Sequence, residues 1–353
     1  MKKYGVALWG FCLAVGALAG EGAGEWDLLS APPGVRSMAL GGAGTALGDD
    51  HASGVLNPAG LGRLSRGEAT FAHHEGVESI ERDSLGIAWP TEKGTWAGRW
   101  SRVDYGTLPG LDSAGNSLGE IGAREDWYQM AVGGSFRDRL WGGISLNHVE
   151  RKLHDQSTAG AFVDVGVLAR IAAPTIFHEA RAGFSVRRMG VGWSGGEGPP
   201  REMRLGLATG VWDERVTLAA DLVQPQGGDF RPLAGIEYAS GGAAFFRLGY
   251  DHSLESPFTY GLGFRAGDLS LDYAFAPLGD LGNTHHVGIA WRFGNPAEAY
   301  YEKGMDYFRQ EDFARAVVSF NRALAADPHH AKALLKLREA NQKLQKTWND
   351  SPR

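Results

Sequence analysis

The chain has 353 residues, a formal net charge of -6, a single cysteine and 52 glycines, a glycine content about twice the usual share of roughly 7%. Mild acidity without a basic patch excludes a nucleic-acid footprint. One cysteine excludes an internal disulfide framework.

The first element reads as a secretory signal peptide over residues 1–19: Lys2 and Lys3, an uncharged apolar run from Tyr4 to Leu18, and the small-x-small site Ala17-Leu18-Ala19. The only cysteine, Cys12, lies inside it, behind Phe11 rather than the small residue a lipoprotein signal requires. No later run of some eighteen apolar residues exists, so an exported chain of this kind spans a membrane as a β-barrel or not at all.

Residues 20–66 follow, rich in small residues between Ala39 and Leu47. Such a string permits close backbone approach inside a narrow lumen, and Asn57-Pro58 favours a turn. Asp49 and Asp50 are suited to pairing with inward-pointing arginines; the plainer reading is a glycine-rich turn and a short amphipathic helix leading into the first strand. The string is no phosphate cradle, because it lacks a P-loop lysine and follows no strand opening a βαβ unit.

From 67 to 294 the apolar residues recur every second position. The clearest runs are Ala244/Phe246/Leu248/Tyr250, Phe258/Tyr260/Leu262/Phe264, Leu269/Leu271/Tyr273/Phe275 and Val287/Ile289/Trp291/Phe293, with glycines, small residues and isolated charges between. Comparable segments near 68–75, 83–90, 95–104, 127–136, 140–150, 161–171, 180–189, 203–212, 216–224 and 233–239 bring the expected count to fourteen strands. Tight connections such as Asp213–Arg215 and Gly267–Asp268 alternate with longer ones such as Gly106–Asp126 and Arg151–Gly160, as periplasmic turns alternate with external loops; Ala172–Glu179 is too long for its side. An even strand number puts both barrel ends on the short-turn, periplasmic side. The expected fold is an all-β transmembrane antiparallel barrel, in the outer membrane of a Gram-negative-type cell and in contact with its lipid. A soluble β-sandwich is the alternative, although its solvated face would carry Lys and Glu, and between residues 20 and 294 the only lysines are Lys93 and Lys152. Trp89, Trp100, Trp141, Trp212, Trp291 and Phe293 suit interfacial girdles.

The supposed inner face carries Arg99, Arg181, Arg187, Arg204, Arg247, Arg265 and Arg292 beside Asp164, Asp221, Glu237, Asp251 and Asp272. These either neutralise one another across neighbouring strands or set the selectivity of a conduit. The histidine pairs His73-His74 and His285-His286 point to opposite faces of a strand, so neither pair chelates one metal. No nucleophile arrangement is recognisable, so no enzyme activity, cofactor or metal is expected.

The tail changes period. Tyr300, Gly304, Tyr307, Ala316, Phe320, Ala323 and Pro328 fall at the offsets of one 34-residue tetratricopeptide repeat over about 297–330. Gly304 and Ala316 let two helices approach, Tyr307 and Phe320 fill their interface, and Pro328 ends the second. Ala331–Lys346, with Leu334, Leu337 and Leu344, is expected to cap the repeat as a third helix, giving an all-α domain at 297–346 and a disordered tail at 347–353.

The segment from Gly34 to Asp50, with Gly41-Gly42-Ala43-Gly44, and the following Asn57-Pro58-Ala59-Gly60-Leu61 resemble the N-terminal signature of the PorV/PorQ family, which is similar to FadL-type barrels. The resemblance implies a fourteen-stranded barrel with an inward-folded hatch, working in envelope transport, secretion or surface assembly. The leading expectation is such a barrel recruiting a periplasmic or envelope protein through its tetratricopeptide tail. The alternatives are a FadL-like passive channel for hydrophobic or amphipathic solutes and a structural envelope scaffold.

Overall fold

The computed structural model describes residues 32–76, 80–91, 93–111, 117–137, 139–153, 156–174, 176–194 and 199–349. The expected signal peptide with Cys12 and the start of the segment at 20–66 lie outside the described residues, as do 350–353.

Fourteen strands close into one antiparallel barrel in which each pairs with its chain neighbours and the last returns to the first. They are β1 Gly67–Glu75, β2 Glu81–Thr91, β3 Gly94–Leu111, β4 Ser117–Arg137, β5 Leu140–Leu153, β6 Gln156–Arg170 and β7 His178–Trp193. The second half comprises β8 Glu202–Val211, β9 Val216–Pro225, β10 Arg231–Ser240, β11 Ala244–Asp251, β12 Phe258–Ala266, β13 Leu269–Pro277 and β14 Asn283–Phe293. Among the described residues no helix is long and apolar enough to cross a membrane.

The two faces of the wall are inverted relative to a soluble protein. Met130 is 69% exposed and Leu146 56%, whereas Asn147 and Asp164 on the other side are 0% exposed. Large apolar side chains cover the outside on every side, from Leu85 and Trp96 through Leu205 to Phe264 and Trp291. On β4 this belt runs from Tyr128 to Phe136, about 26 Å of strand at ~3.3 Å per residue, which on a tilted strand matches the apolar band of a membrane-spanning barrel. A sandwich would bury that face, so the sandwich alternative is excluded. Trp141 departs from the girdle expectation: it faces inward, 7% exposed, beneath Arg63 and Arg170.

The long connections expected at Gly106–Asp126 and Arg151–Gly160 are mostly strand. β3 to β7 run on past the apolar belt, where alternation of hydrophobes gives way to paired charges such as Arg102 with Asp126 (2.8 Å) and Arg151 with Glu125 (3.0 Å). Polar hairpins have no apolar face to mark them, so hydrophobic periodicity missed them. Another local departure is Arg188, at φ 58° and beside a register shift between β6 and β7. That bulge turns both Arg187 and Arg188 inward, 2% and 3% exposed, where simple alternation would send one out.

The chain divides into two compact units, the second comprising Ser65–Gly67 and everything from Arg292. Its helices are Pro296–Arg309, Phe313–Ala326 and Ala331–Asn349. Asn295 caps the first, accepting from Ala297 N at 2.9 Å, with proline in the first turn. Phe320, Ala316 and Ala323 are 0% exposed, and a Cβ on Gly304 would run into the Phe320 ring. Tyr307 packs against this cluster, but Tyr301 rather than Tyr300 meets the Phe320 ring, tilted by 40° at 5.9 Å between centroids. Tyr300 is exposed. The second helix stops two residues before Pro328, and the third packs through Leu337 and Ala340 while Leu334 stays exposed.

The inverted faces make a prediction. Leu146→Arg, at a lipid-facing site, should lower the free energy of unfolding in liposomes by up to about 2–4 kcal/mol, measured by denaturant titration; an unchanged midpoint would contradict the outward belt.

The hatch and its glycine collar, a candidate gated lumen

Inside the wall sits the segment from Pro32 to Leu64. It contains two short helices, α1 (Val35–Ala39) and α2 (His51–Leu56), and a 3-10 turn over Pro58–Arg63. Asp50 caps α2 by accepting from Ser53 N at 2.6 Å. Asn57 has a double use: its carbonyl oxygen caps the 3-10 turn by accepting from Ala59 N, while its amide donates to Thr45 O (2.9 Å) and Val167 O (3.0 Å). The Asn-Pro pair thus ends one helix, starts the next turn and ties both to β6.

The wall receives this segment on glycines. A Cβ at Gly86 of β2, Gly143 of β5, Gly183 of β7, Gly235 of β10, Gly249 of β11 or Gly288 of β14 would come closer than 3.0 Å to, respectively, His51, Pro58, Thr45, Leu40, Gly41 or Val35. Several collar glycines stand opposite one another in register: Gly133 and Gly143, Gly143 and Gly166, Gly183 and Gly206, Gly235 and Gly249. Missing side chains on adjoining strands leave a recess into which hatch backbone fits. The hatch therefore meets the wall all around the barrel.

Between glycines, charged groups fasten it. Arg36 on α1 donates to both Glu237 oxygens (2.8 and 2.9 Å), to Asp49 (2.7 Å) and to Asp50 (2.9 Å). Arg247 bridges Glu237 (2.6 Å) to Asp272 (2.5 Å), extending the network across β10, β11 and β13. One oxygen of Asp221 accepts from Gly44 N, Thr45 N and Thr45 Oγ1 at 3.0, 3.0 and 2.6 Å, and also from Arg204, which in turn donates to Gly42 O. Arg63 reaches Glu179 (2.6 Å) and Leu47 O, and Arg181 reaches Ala46 O. Burial, followed by the nearby Arg99 charge, pushes the His51 imidazole down to about 4, so it is neutral near pH 7.

The structure thus gathers Asp49, Asp50, Asn57 and Pro58 in the hatch, and Arg181, Arg204, Arg247, Asp221, Glu237 and Asp272 around it. Asp49 and Asp50 pair with Arg36 of their own segment rather than with an arginine of the wall. Arg187 pairs with Glu202 (2.9 Å), as does Arg188 (2.6 Å); Asp164 accepts from Ser145, Asn147 and Arg188 N; Asp251 holds Ser253 and Arg231. Among the described residues Arg99 donates to Pro33 O at 3.0 Å. Arg265 lies half-buried over the Phe245 ring and donates to Ser270 Oγ at 3.4 Å, and Arg292 belongs to the second compact unit. Sequence reasoning missed Arg36, Glu179 and Glu202 as fasteners. Arg36 lay within the glycine-rich signature, but nothing in its spacing pointed to Glu237, 201 residues away. Adjacent histidines do not meet, as their alternation requires; instead His74 and His286 face each other across the β1/β14 seam, ring centroids 4.7 Å apart. Among the described residues no group of three or more His, Cys, Asp or Glu is arranged to hold a metal.

Comparison with known proteins follows this division. A tetratricopeptide repeat model matches residues 297–330. No curated protein sequence matches the chain. Among solved structures, the barrel is similar to the monoaromatic hydrocarbon channel CymD, at TM-score 0.55 and 12% identity over 74% of this chain and 97% of that one. It is also similar to the Pseudomonas putida toluene transporter TodX, at TM-score 0.53 and 13% identity over 73% of this chain and 96% of that one. At such identities the likeness establishes the fold alone, a closed fourteen-strand barrel.

Two substitutions test the fastening. Arg36→Met removes one of the two cations on the buried Glu237 and the cation that Asp49 and Asp50 share, a loss of charged hydrogen bonds worth on the order of 1.5–3 kcal/mol, and should raise amide exchange between Leu40 and Leu47. Gly249→Val should do the same by steric exclusion. Wild-type protection in both variants would refute the collar.

Proposed function

We propose that this chain is an outer-membrane transport barrel, closed at rest by its hatch, that passes apolar or amphipathic solutes. The observation that carries this reading is the manner of closure: the hatch is noncovalently seated, on glycines of the wall and through ion pairs and hydrogen bonds to it. Its inner surface also offers an apolar patch, where Val55 of the hatch meets Trp127, Val149 and Phe162 of the wall. The likeness to channels named for toluene and monoaromatic hydrocarbons supports the solute class. In this reading Asn57, Pro58, Asp49 and Asp50 hold the hatch in place, and the luminal arginines and carboxylates around it tune passage.

The domain scheme belongs to the same proposal: a signal peptide at 1–19, a hatch at 20–66, the barrel at 67–294 with both ends periplasmic, and a helical module at 297–346 that recruits a periplasmic protein. Support for recruitment is the match of 297–330 to a repeat whose exposed helical faces suit protein binding. A secretion or assembly role of the PorV/PorQ type is the second reading. It draws on the completeness of the seal, since a barrel shut around its whole circumference serves equally as a docking platform.

Reconstitution separates the two. Liposomes carrying the chain should take up dodecanoate or toluene faster than empty liposomes, and removal of residues 20–61 should accelerate uptake further; a barrel that stays impermeable even without its hatch would leave only the platform reading. In cells, deleting 297–353 should remove at least one periplasmic crosslink, and an unchanged crosslinking pattern would end the recruitment idea.

A further inference from the structure

Seven residues separate β6 from β7, against two between β4 and β5 and four between β8 and β9 at the same end of the barrel. This longer connection is closed at its base by Ile171 N, which donates to Ala180 O at 2.9 Å, and it is exposed at Ile171, Ala173, Pro174 and Ile176. It returns the chain to β7 through a register shift against β8, between His178 and Arg181, and through Glu179 at φ 51°. A non-glycine residue in the left-handed region is strained, so contacts must hold it there.

Three arginines supply those contacts. Glu179 Oε1 accepts from Arg63 of the hatch at 2.6 Å and from Arg170 of β6 at 3.3 Å, and its Oε2 accepts from Arg181 of β7 at 2.9 Å. Two of these guanidiniums hold the hatch with another nitrogen: Arg181 donates to Ala46 O and Arg63 to Leu47 O, each at 2.9 Å. One carboxylate therefore aligns the donors for two consecutive hatch carbonyls, beside the Thr45 backbone that fills the recess at Gly183. The charge of Asp49 also acts on Arg63 and Arg181, so both have a second carboxylate at hand when Glu179 withdraws.

We propose that this connection and Glu179 form a latch, through which a displacement at the exposed rim between β6 and β7 frees the Ala46–Leu47 stretch of the hatch. Only Phe177 and His178 lie between the exposed Ile176 and the carboxylate, so movement of the rim reaches Glu179 along the chain itself. Backbone and side chain pull in opposite senses there. Relaxation of Glu179 out of the left-handed region re-aims its carboxylate away from the arginines, whereas the ion pairs keep the strained form. The inference rests on the hatch being the closure, and it adds the place from which that closure is worked.

Bulky labelling of the rim tests the latch on the full-length chain in detergent, with its one native cysteine, Cys12, replaced by serine. A polyethylene glycol maleimide attached at Ala173→Cys should raise amide exchange at residues 44–48 about tenfold, as expected for loss of a charged hydrogen bond. The same label at Asp268→Cys, in the turn between β12 and β13, should leave that exchange unchanged. Glu179→Gln should raise exchange at residues 44–48 without any label, and labelling Ala173→Cys in that background should add nothing, because both changes act on one contact. If Glu179→Gln fails to fold, the comparison of the two labelled sites decides. Unchanged exchange on labelling Ala173→Cys, or an equal further rise in the Glu179→Gln chain, would overturn the latch. Neither readout needs a solute to pass, so an impermeable barrel in the liposome assay overturns the transport reading separately.

Discussion

Closure of the β-ladder is the constraint on which the rest of this structure depends. In hydrocarbon, backbone N–H and C=O groups have no water to turn to, so a spanning sheet must pair its last strand with its first. Here β14 returns to β1, and no strand of the ring keeps an edge along the belt. Once the ring closes, each residue faces either lipid or lumen, and the period of two becomes a division of chemistry. Met130 and Leu146 face out, whereas Gln129, Ser145 and Asn147 face in.

A closed ring of this size encloses a lumen that must be filled or left as a channel. This chain fills it with its own N-terminal segment, and the wall's glycines are the counterpart of that choice. Each glycine costs strand propensity, yet around the hatch it admits backbone where a methyl group would collide. Buried charge is the second counterpart. Arginines such as Arg204 and Arg247 would be costly inside a barrel alone, but Asp221, Glu237 and Asp272 compensate them, and the hatch backbone supplies the remaining partners. Hatch and wall are therefore mutually dependent, and loosening one contact strands charges elsewhere.

The helical unit solves a different problem by different means. Two amphipathic helices pack with Phe320 of the second against Gly304 of the first, Ala316 is buried in the same cluster, and a third helix covers the end that a longer repeat array would have covered. Its lysines contrast with their scarcity in the barrel, as expected when one surface meets water and the other meets lipid.

Much of this was legible without coordinates. Strand number, the sense of alternation and the repeat with Gly304 and Phe320 all follow from local patterns, because one residue in two or a fixed helical offset is recorded directly in the chain. The PorV/PorQ assignment and the topology relative to the periplasm go further than the fold and stay with the proposed function. Tertiary structure alone decided which charges meet. Arg36 finds Glu237 across most of the chain, Arg187 and Arg188 turn inward together through a bulge, Trp141 faces the hatch instead of the lipid, and polar hairpins extend β3 to β7 beyond the apolar belt. The reason is physical: periodicity reports which face a residue occupies, whereas partners, bulges and extensions depend on cross-strand register and on what fills the lumen, and both are set only when the ring closes around the hatch.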